Sequence, residues 1–153
     1  MSRLAFGDDD HPAATLKHLD DATALHAAKR YDGTAYLSGY VVECTLKTVL
    51  LHDQTFDPAT KQTDAAELAK WHKSLSRKPF GHSLTGLLAA SVGAEGAKYL
   101  PPFPPKTSML KWSETIRYRA PGRVDAEQAG AFLAWAEFAA ESVVAMNLDG
   151  VLR

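Results

Sequence analysis

Little in this sequence is extreme, and several common features are missing. It has one cysteine, Cys44, so no internal disulfide can hold the fold, and no apolar leader follows Met1. A reducing, cytoplasmic setting is therefore expected. Cys44 lies among apolar residues with only Lys47 on the next turn, which predicts a buried, inert thiol. Apolar runs such as Tyr40-Val41-Val42 and Thr48-Val49-Leu50-Leu51 stop well short of the ~20 residues a membrane span requires. No membrane contact is expected. Neither sign of charge dominates: 17 basic and 18 acidic side chains leave a net charge of -1. That argues against a nucleic-acid binder that is basic all round and leaves only local patches.

Catalytic signatures are also scarce. The histidines His11, His18, His26, His52, His72 and His82 include no pair three or four apart, and no Glu-x-x-His occurs. Zinc-enzyme and di-iron spacings are thus absent, and neither metal nor cofactor is expected. There is no glycine-rich phosphate loop with its Lys-Ser/Thr, no Gly-x-Ser-x-Gly nucleophile turn and no cysteine flanked for catalysis.

What is present is helical periodicity. Residues 1–11, with Asp8, Asp9 and Asp10 ahead of Pro12, predict a flexible acidic arm whose Asp10 caps a first helix. Leu16, Leu19, Ala22, Leu25 and Ala28 carry that helix from Pro12 to Tyr31, where Asp32-Gly33 should break it. A central helix is expected from Thr34 to His52, followed by a loop from Asp53 to Thr63. Asp64 should open a shorter helix that runs to Leu75. Ser83 can cap a fourth over Leu84–Ser91. The prolines at 101, 102, 104 and 105 predict a stiff extended connector. A helix over Met109–Tyr118 and a long last helix over Asp125–Asn147, capped by Asp125, complete an all-α antiparallel bundle of about five helices. It forms one domain spanning 1–153, and no run asks to be a strand. Small residues in the last helix, among them Ala136, Ala139 and Ala140, would let another helix approach closely and make a self-associating face plausible.

Three groups of residues carry chemistry. Glu43 and Lys47 stand four apart on the most apolar helix, so both should be partly buried and must either pair or serve a site. Lys70, Lys73, Arg77 and Lys78 form a positive stretch expected to be a solvated helix end. Lys111, Arg117, Arg119 and Arg123 form another, opposed only by Glu114. There, planar guanidinium groups, the Tyr118 ring and the amides opening the last helix could converge on a phosphate.

Four stretches together resemble a known family: Ala28-Lys29-Arg30-Tyr31-Asp32-Gly33-Thr34-Ala35-Tyr36, Glu43-Cys44-Thr45-Leu46-Lys47, Gly81-His82-Ser83-Leu84-Thr85-Gly86-Leu87 and Ile116-Arg117-Tyr118. In this order they resemble HEPN domains (higher eukaryotes and prokaryotes nucleotide-binding). The resemblance implies a helical bundle that commonly forms a homodimer and is frequently partnered with a nucleotidyltransferase. In many members it acts as a metal-independent RNase, through an arginine followed, after four to six intervening residues, by a histidine near the start of the last helix. Here Arg117 is followed at those places by Gly122, Arg123 and Val124, so the usual base is missing. Arg77 and His82 have the required spacing but precede the fourth helix.

The expected function is therefore binding of a nucleotide or RNA without conventional catalysis, through Arg117, Tyr118, Arg119 and Arg123, with Glu43, Lys47 and His82 completing or bracing the site. An RNA-cleaving toxin of a toxin-antitoxin pair, using Arg77 and His82, and a purely structural interaction module are the alternatives.

Overall fold

The computed structural model describes residues 1–92, 95–100 and 112–153. Five α-helices dominate: α1 (His11–Ala27), α2 (Tyr31–Thr55), α3 (Ala65–Leu75), α4 (Leu84–Ser91) and α5 (Ala126–Leu148). This is the all-α bundle expected. Its axis is α2, whose residues from Val41 to His52 are all buried, because α1 and α5 pack on it and on each other while α3 and α4 each pack on it as well. A helix apolar all round is stable only when it is enclosed in this way.

The caps fall where short polar side chains precede each helix. Asp10 accepts from the Ala13 amide at 3.2 Å, Asp64 from Ala66 and Glu67, and Ser83 from Gly86 at 3.1 Å. At α5, Asp125 and Gln128 form a reciprocal capping box, which satisfies two amides that would otherwise lack partners.

Elsewhere the chain departs from what periodicity suggests. Helix α1 ends at Ala27, before Tyr31, and Asp32-Gly33 does not break anything: both residues lie in the first turn of α2. The reversal is made at Lys29, whose φ of 58° is left-handed, while the Arg30 amide bonds back to Leu25 O at 2.8 Å. That is a helix-ending pattern in which a lysine takes the place usually held by glycine. Gly33 instead permits close approach of the two helices, since a Cβ there would meet Leu25 Cδ1 at 3.0 Å.

The arm predicted for residues 1–11 is docked. Leu4 is completely buried, the Arg3 amide bonds Leu152 O, Ser2 binds the Asp10 carboxylate through both its amide and its hydroxyl, and His72 Nε2 donates to Leu4 O at 2.9 Å. Three aspartates made the segment look solvated, yet one well-placed leucine contributes about 1.5–3 kcal/mol on burial. The loop after α2 contains a two-residue antiparallel pair, β1 (Phe56–Asp57) with β2 (Gln62–Thr63), too short to leave an alternating signal.

The helix predicted over Met109–Tyr118 also needs correction where it is described. Ser113 is extended and its hydroxyl caps a single 3-10 turn, Glu114–Tyr118. Ala120-Pro121 follows immediately, and a segment this short, closed by a proline, does not build an α-helix. Its anchors point inward all the same: Trp112 and Ile116 are buried. Residues 109–111 and the proline-rich connector lie outside the described residues.

In α5, Ala136 and Ala140 pack on Val41 of α2 beside Leu19, so these small residues bring helices of the same chain together. Among the described residues α5 alone has the length and composition to cross a membrane, and half of that stretch is buried in the fold.

Candidate functional site

On α2, Tyr36, Tyr40, Glu43 and Lys47 are spaced at i, i+4, i+7 and i+11, which aligns them on one face. Each meets a partner. The Glu43 carboxylate is bonded through one oxygen to Lys47 Nζ at 2.7 Å and through the other to His82 Nδ1 at 2.9 Å. Glu43 and Lys47 are buried, whereas the side chain of His82 is 47 % exposed. A carboxylate only accepts, so Nδ1 donates to it and Nε2 is left toward solvent.

Above this ion pair the aromatic residues form a ladder. The Tyr40 ring meets His82 edge-on at 5.7 Å and Trp112 at 5.2 Å, and Tyr36 donates to the Tyr40 hydroxyl at 3.4 Å. Burial first, and with it the Glu43 charge, push the Tyr40 phenol above its ordinary range. Arg117 Nη1 donates to the Tyr36 hydroxyl at 3.4 Å, and the same guanidinium lies 4.7 Å over the Tyr118 ring. That bond to Tyr36 raises the Arg117 pKa further, so its charge is permanent. Glu43, Lys47, His82 and Arg117 thus share one connected network, although their segments are far apart in sequence.

Next to this ladder, a cleft of about 540 Å³ opens between the α1–α2 turn and the loop after the 3-10 turn. Lys29, Arg30, Arg117 and Arg119 line it, together with Tyr31 and Tyr36. The single acid lining it among the described residues, Asp32, is already engaged: its two oxygens accept from the amides of Gly122 at 2.5 Å and Val124 at 3.0 Å. Asp32 thus takes the amides of Gly122 and Val124, which precede the last helix, and Asp125 takes that of Gln128 within it.

The remaining candidates separate. Arg119 lines the cleft, but Arg123 does not, and Tyr118 stands outside it at 75 % exposure. Arg77 lines a concavity with Lys70 and Lys73, and His82 lines a different one with Lys78, Trp112 and Glu114, so the pair matched by spacing does not share a pocket. Cys44 is buried and its thiol is pushed up to about 12 by burial and by Glu43. Among the described residues, no three His, Cys, Asp or Glu side chains converge to hold a metal. Sequence reasoning did not single out Lys29, Arg30, Tyr31, Asp32 or Tyr40 as site residues. The available signal was the Tyr36-Tyr40-Glu43-Lys47 spacing on one helix face.

No family model matches the chain, and neither a curated protein nor a solved structure does.

Proposed function

We propose that the domain binds a nucleotide or RNA by its phosphate in the cleft between the α1–α2 turn and the 117–124 loop. One observation carries this reading: four cations face a concavity whose only acid among the described residues has both oxygens committed to backbone amides. A pocket with that balance attracts an anion, arginine offers planar paired donors to phosphate, and Tyr31 and Tyr36 provide rings against which a base can lie. The resemblance to HEPN domains supports the same ligand class. It also suggests a nucleotidyltransferase as companion and a homodimer, and the single cysteine fits a reducing, cytoplasmic setting. Leu16, Val144 and Leu148, exposed on one groove, form the face a second copy would take.

The test is titration of a fluorescent adenine nucleotide into wild-type protein and into the Arg117→Ala/Arg119→Ala variant. Both side chains are exposed, so the variant should fold and bind at least about tenfold more weakly, each charge-assisted hydrogen bond contributing about 1.5–3 kcal/mol. Equal binding by the two proteins would rule the cleft out.

A second reading is favoured by the Glu43–His82 contact. A buried carboxylate that orients an exposed imidazole is the arrangement of a general base. In RNA cleavage His82 Nε2 would take the 2′-hydroxyl proton, the 2′-oxygen would attack phosphorus, and the 5′-oxygen would leave with a proton from solvent as a 5′-hydroxyl, giving a 2′,3′-cyclic phosphate. Incubation with RNA in EDTA separates the two: cleavage lost in His82→Ala supports the enzyme, and intact RNA throughout leaves binding alone.

A further inference from the structure

The segment ahead of α1 is tied to three helices of the bundle. Ser2 holds the Asp10 carboxylate at the start of α1. The Arg3 amide bonds Leu152 O and its guanidinium bonds Gly150 O, both just beyond α5. Leu4, completely buried, gives its carbonyl to His72 of α3, and the Phe6 ring lies 5.6 Å from the same imidazole. The chain then reverses: Phe6 and Asp9 exchange backbone bonds around the left-handed Gly7.

His11 completes this contact. Its ring stacks on that of His72, with centroids 5.3 Å apart and planes 9° from parallel. Docking leaves no room for charge on either ring. His72 donates from Nε2, so its lone pair is on Nδ1, which is buried with no partner among the described residues. The last turn of α3 favours a cation at His72, yet a proton added to Nδ1 would find no acceptor. His11 is the first residue of α1, where the helix dipole opposes a cation. The charged or titratable groups facing it are Lys47 from α2, His72 from α3 and Asp10 beside it. Only Asp10 favours a cation, and its carboxylate is shared with Ser2 and the Ala13 amide. Burial first, then the Lys47 charge, hold the His11 pKa down to about 3.

We infer that residues 1–7 are a strap released by mild acid, which lifts off α3 while the helices stay folded and turns Leu4, Ala5 and Phe6 into an exposed apolar end. A histidine that is kept neutral when docked and is hydrated when free favours lifting as pH falls. From pH 7 to pH 5 the ratio of lifted to docked strap rises by up to about 25-fold through His11 alone. Carboxylates add little over that range, because most are still ionised at pH 5. The release does not depend on what the cleft binds.

Native-state amide exchange of the full chain, followed by NMR, tests the strap. The Arg3 amide, bonded to Leu152 O, reports lifting, and the α2 amides from Val41 to Leu51 report opening of the bundle. At pH 7 the Arg3 amide should already be less protected than those of α2, and at pH 5 its protection should have fallen further by about the factor just given. In His11→Phe, which keeps a ring against His72 but cannot take up a proton, that fall should largely disappear. If His11→Phe does not fold, His11→Gln, equally unable to take up a proton, is read in its place. Equal protection of Arg3 and α2 at both pH values would mean that strap and bundle open together, and would overturn the inference. So would an Arg3 amide whose protection does not change with pH, or a fall that persists undiminished when His11 is replaced.

Discussion

Breaking the buried pair at the heart of the network should be costlier than removing it. Glu43 and Lys47 lie 2.7 Å apart with side chains 3 % and 8 % exposed. At an effective dielectric near 20 the gross attraction at that separation is about 6 kcal/mol, much of which offsets the loss of hydration by two ions. Glu43→Gln keeps the shape but leaves the Lys47 ammonium buried against a neutral amide, with one oxygen where Lys47 Nζ and His82 Nδ1 now have one each. Such single breaks cost about 3–5 kcal/mol, a fall in Tm of about 6–20 °C for a domain of this size. Lys47→Met should cost a similar amount, because Glu43 then keeps only a half-exposed imidazole. The double variant Glu43→Leu/Lys47→Met removes both charges and fills the space with apolar atoms, so it should lie well below the sum of the singles. Urea titrations of the four proteins measure the coupling directly. If either single variant unfolds outright, a folded double variant still gives its sign. Additive costs, or singles below about 1 kcal/mol, would refute the view that these groups depend on each other in a poorly hydrated site.

Three further outcomes follow from the packing and the titrations. Gly39→Ala should destabilise despite alanine's better helix propensity: the added Cβ would lie 1.9 Å from Trp112 Cε2, and overpacking of about 1–3 kcal/mol outweighs a propensity gain of about 1 kcal/mol. Thermal denaturation decides the sign, and loss of Trp112 near-ultraviolet dichroism would report the displaced ring. His11 is held down to about 3, by burial first and then by the Lys47 and His72 charges. The unfolded chain therefore takes up a proton before the fold does, and stability is complete above about pH 6.5 and drains away as pH falls toward 3, by on the order of 4–5 kcal/mol in all. In His11→Phe that part of the pH dependence should flatten; an unchanged slope between pH 6.5 and 3 would contradict it. Cys44, with its thiol near 12, should resist dithionitrobenzoate at pH 8 in the folded protein and react at once in denaturant.

Much of the fold was legible because caps and periodicity act locally. Asp64, Ser83 and Asp125 open α3, α4 and α5 where their side chains predict, and Ala129, Leu133, Ala136, Ala139, Ala140 and Val143 of α5 are buried at helical spacing. The misjudged elements depend on contacts distant in sequence. Nothing near Leu4 announces that His72 will bind its carbonyl. Nothing near Lys29 announces a left-handed turn, which needs no glycine when α2 restarts two residues later. The 3-10 turn at Glu114–Tyr118 keeps the apolar spacing of a helix because Trp112 and Ile116 must reach the same core from a much shorter segment.

The candidate site divides along the same line. Glu43 with Lys47 is a local pair, visible as two charges four apart on an apolar helix, and its burial follows from the helix around it. Its connection to His82 and Arg117 is tertiary: both arrive from loops, one just before α4 and one just before α5, and only packing against α2 brings them to the face that carries Tyr36 and Tyr40. Arg119 and Arg123 show why a basic run cannot be read as a unit. Arg117 in the 3-10 turn and Arg119 just after it line the cleft, while Arg123 follows the left-handed Gly122 (φ 78°) and falls between two residues, Gly122 and Val124, whose amides Asp32 clamps. If that clamp orders the loop, Asp32→Ala should lower nucleotide affinity as much as loss of one arginine, although it removes a negative charge from a cleft meant for an anion. Electrostatics alone predicts tighter binding, so a nucleotide titration of this one variant tells whether loop geometry or net charge governs the cleft.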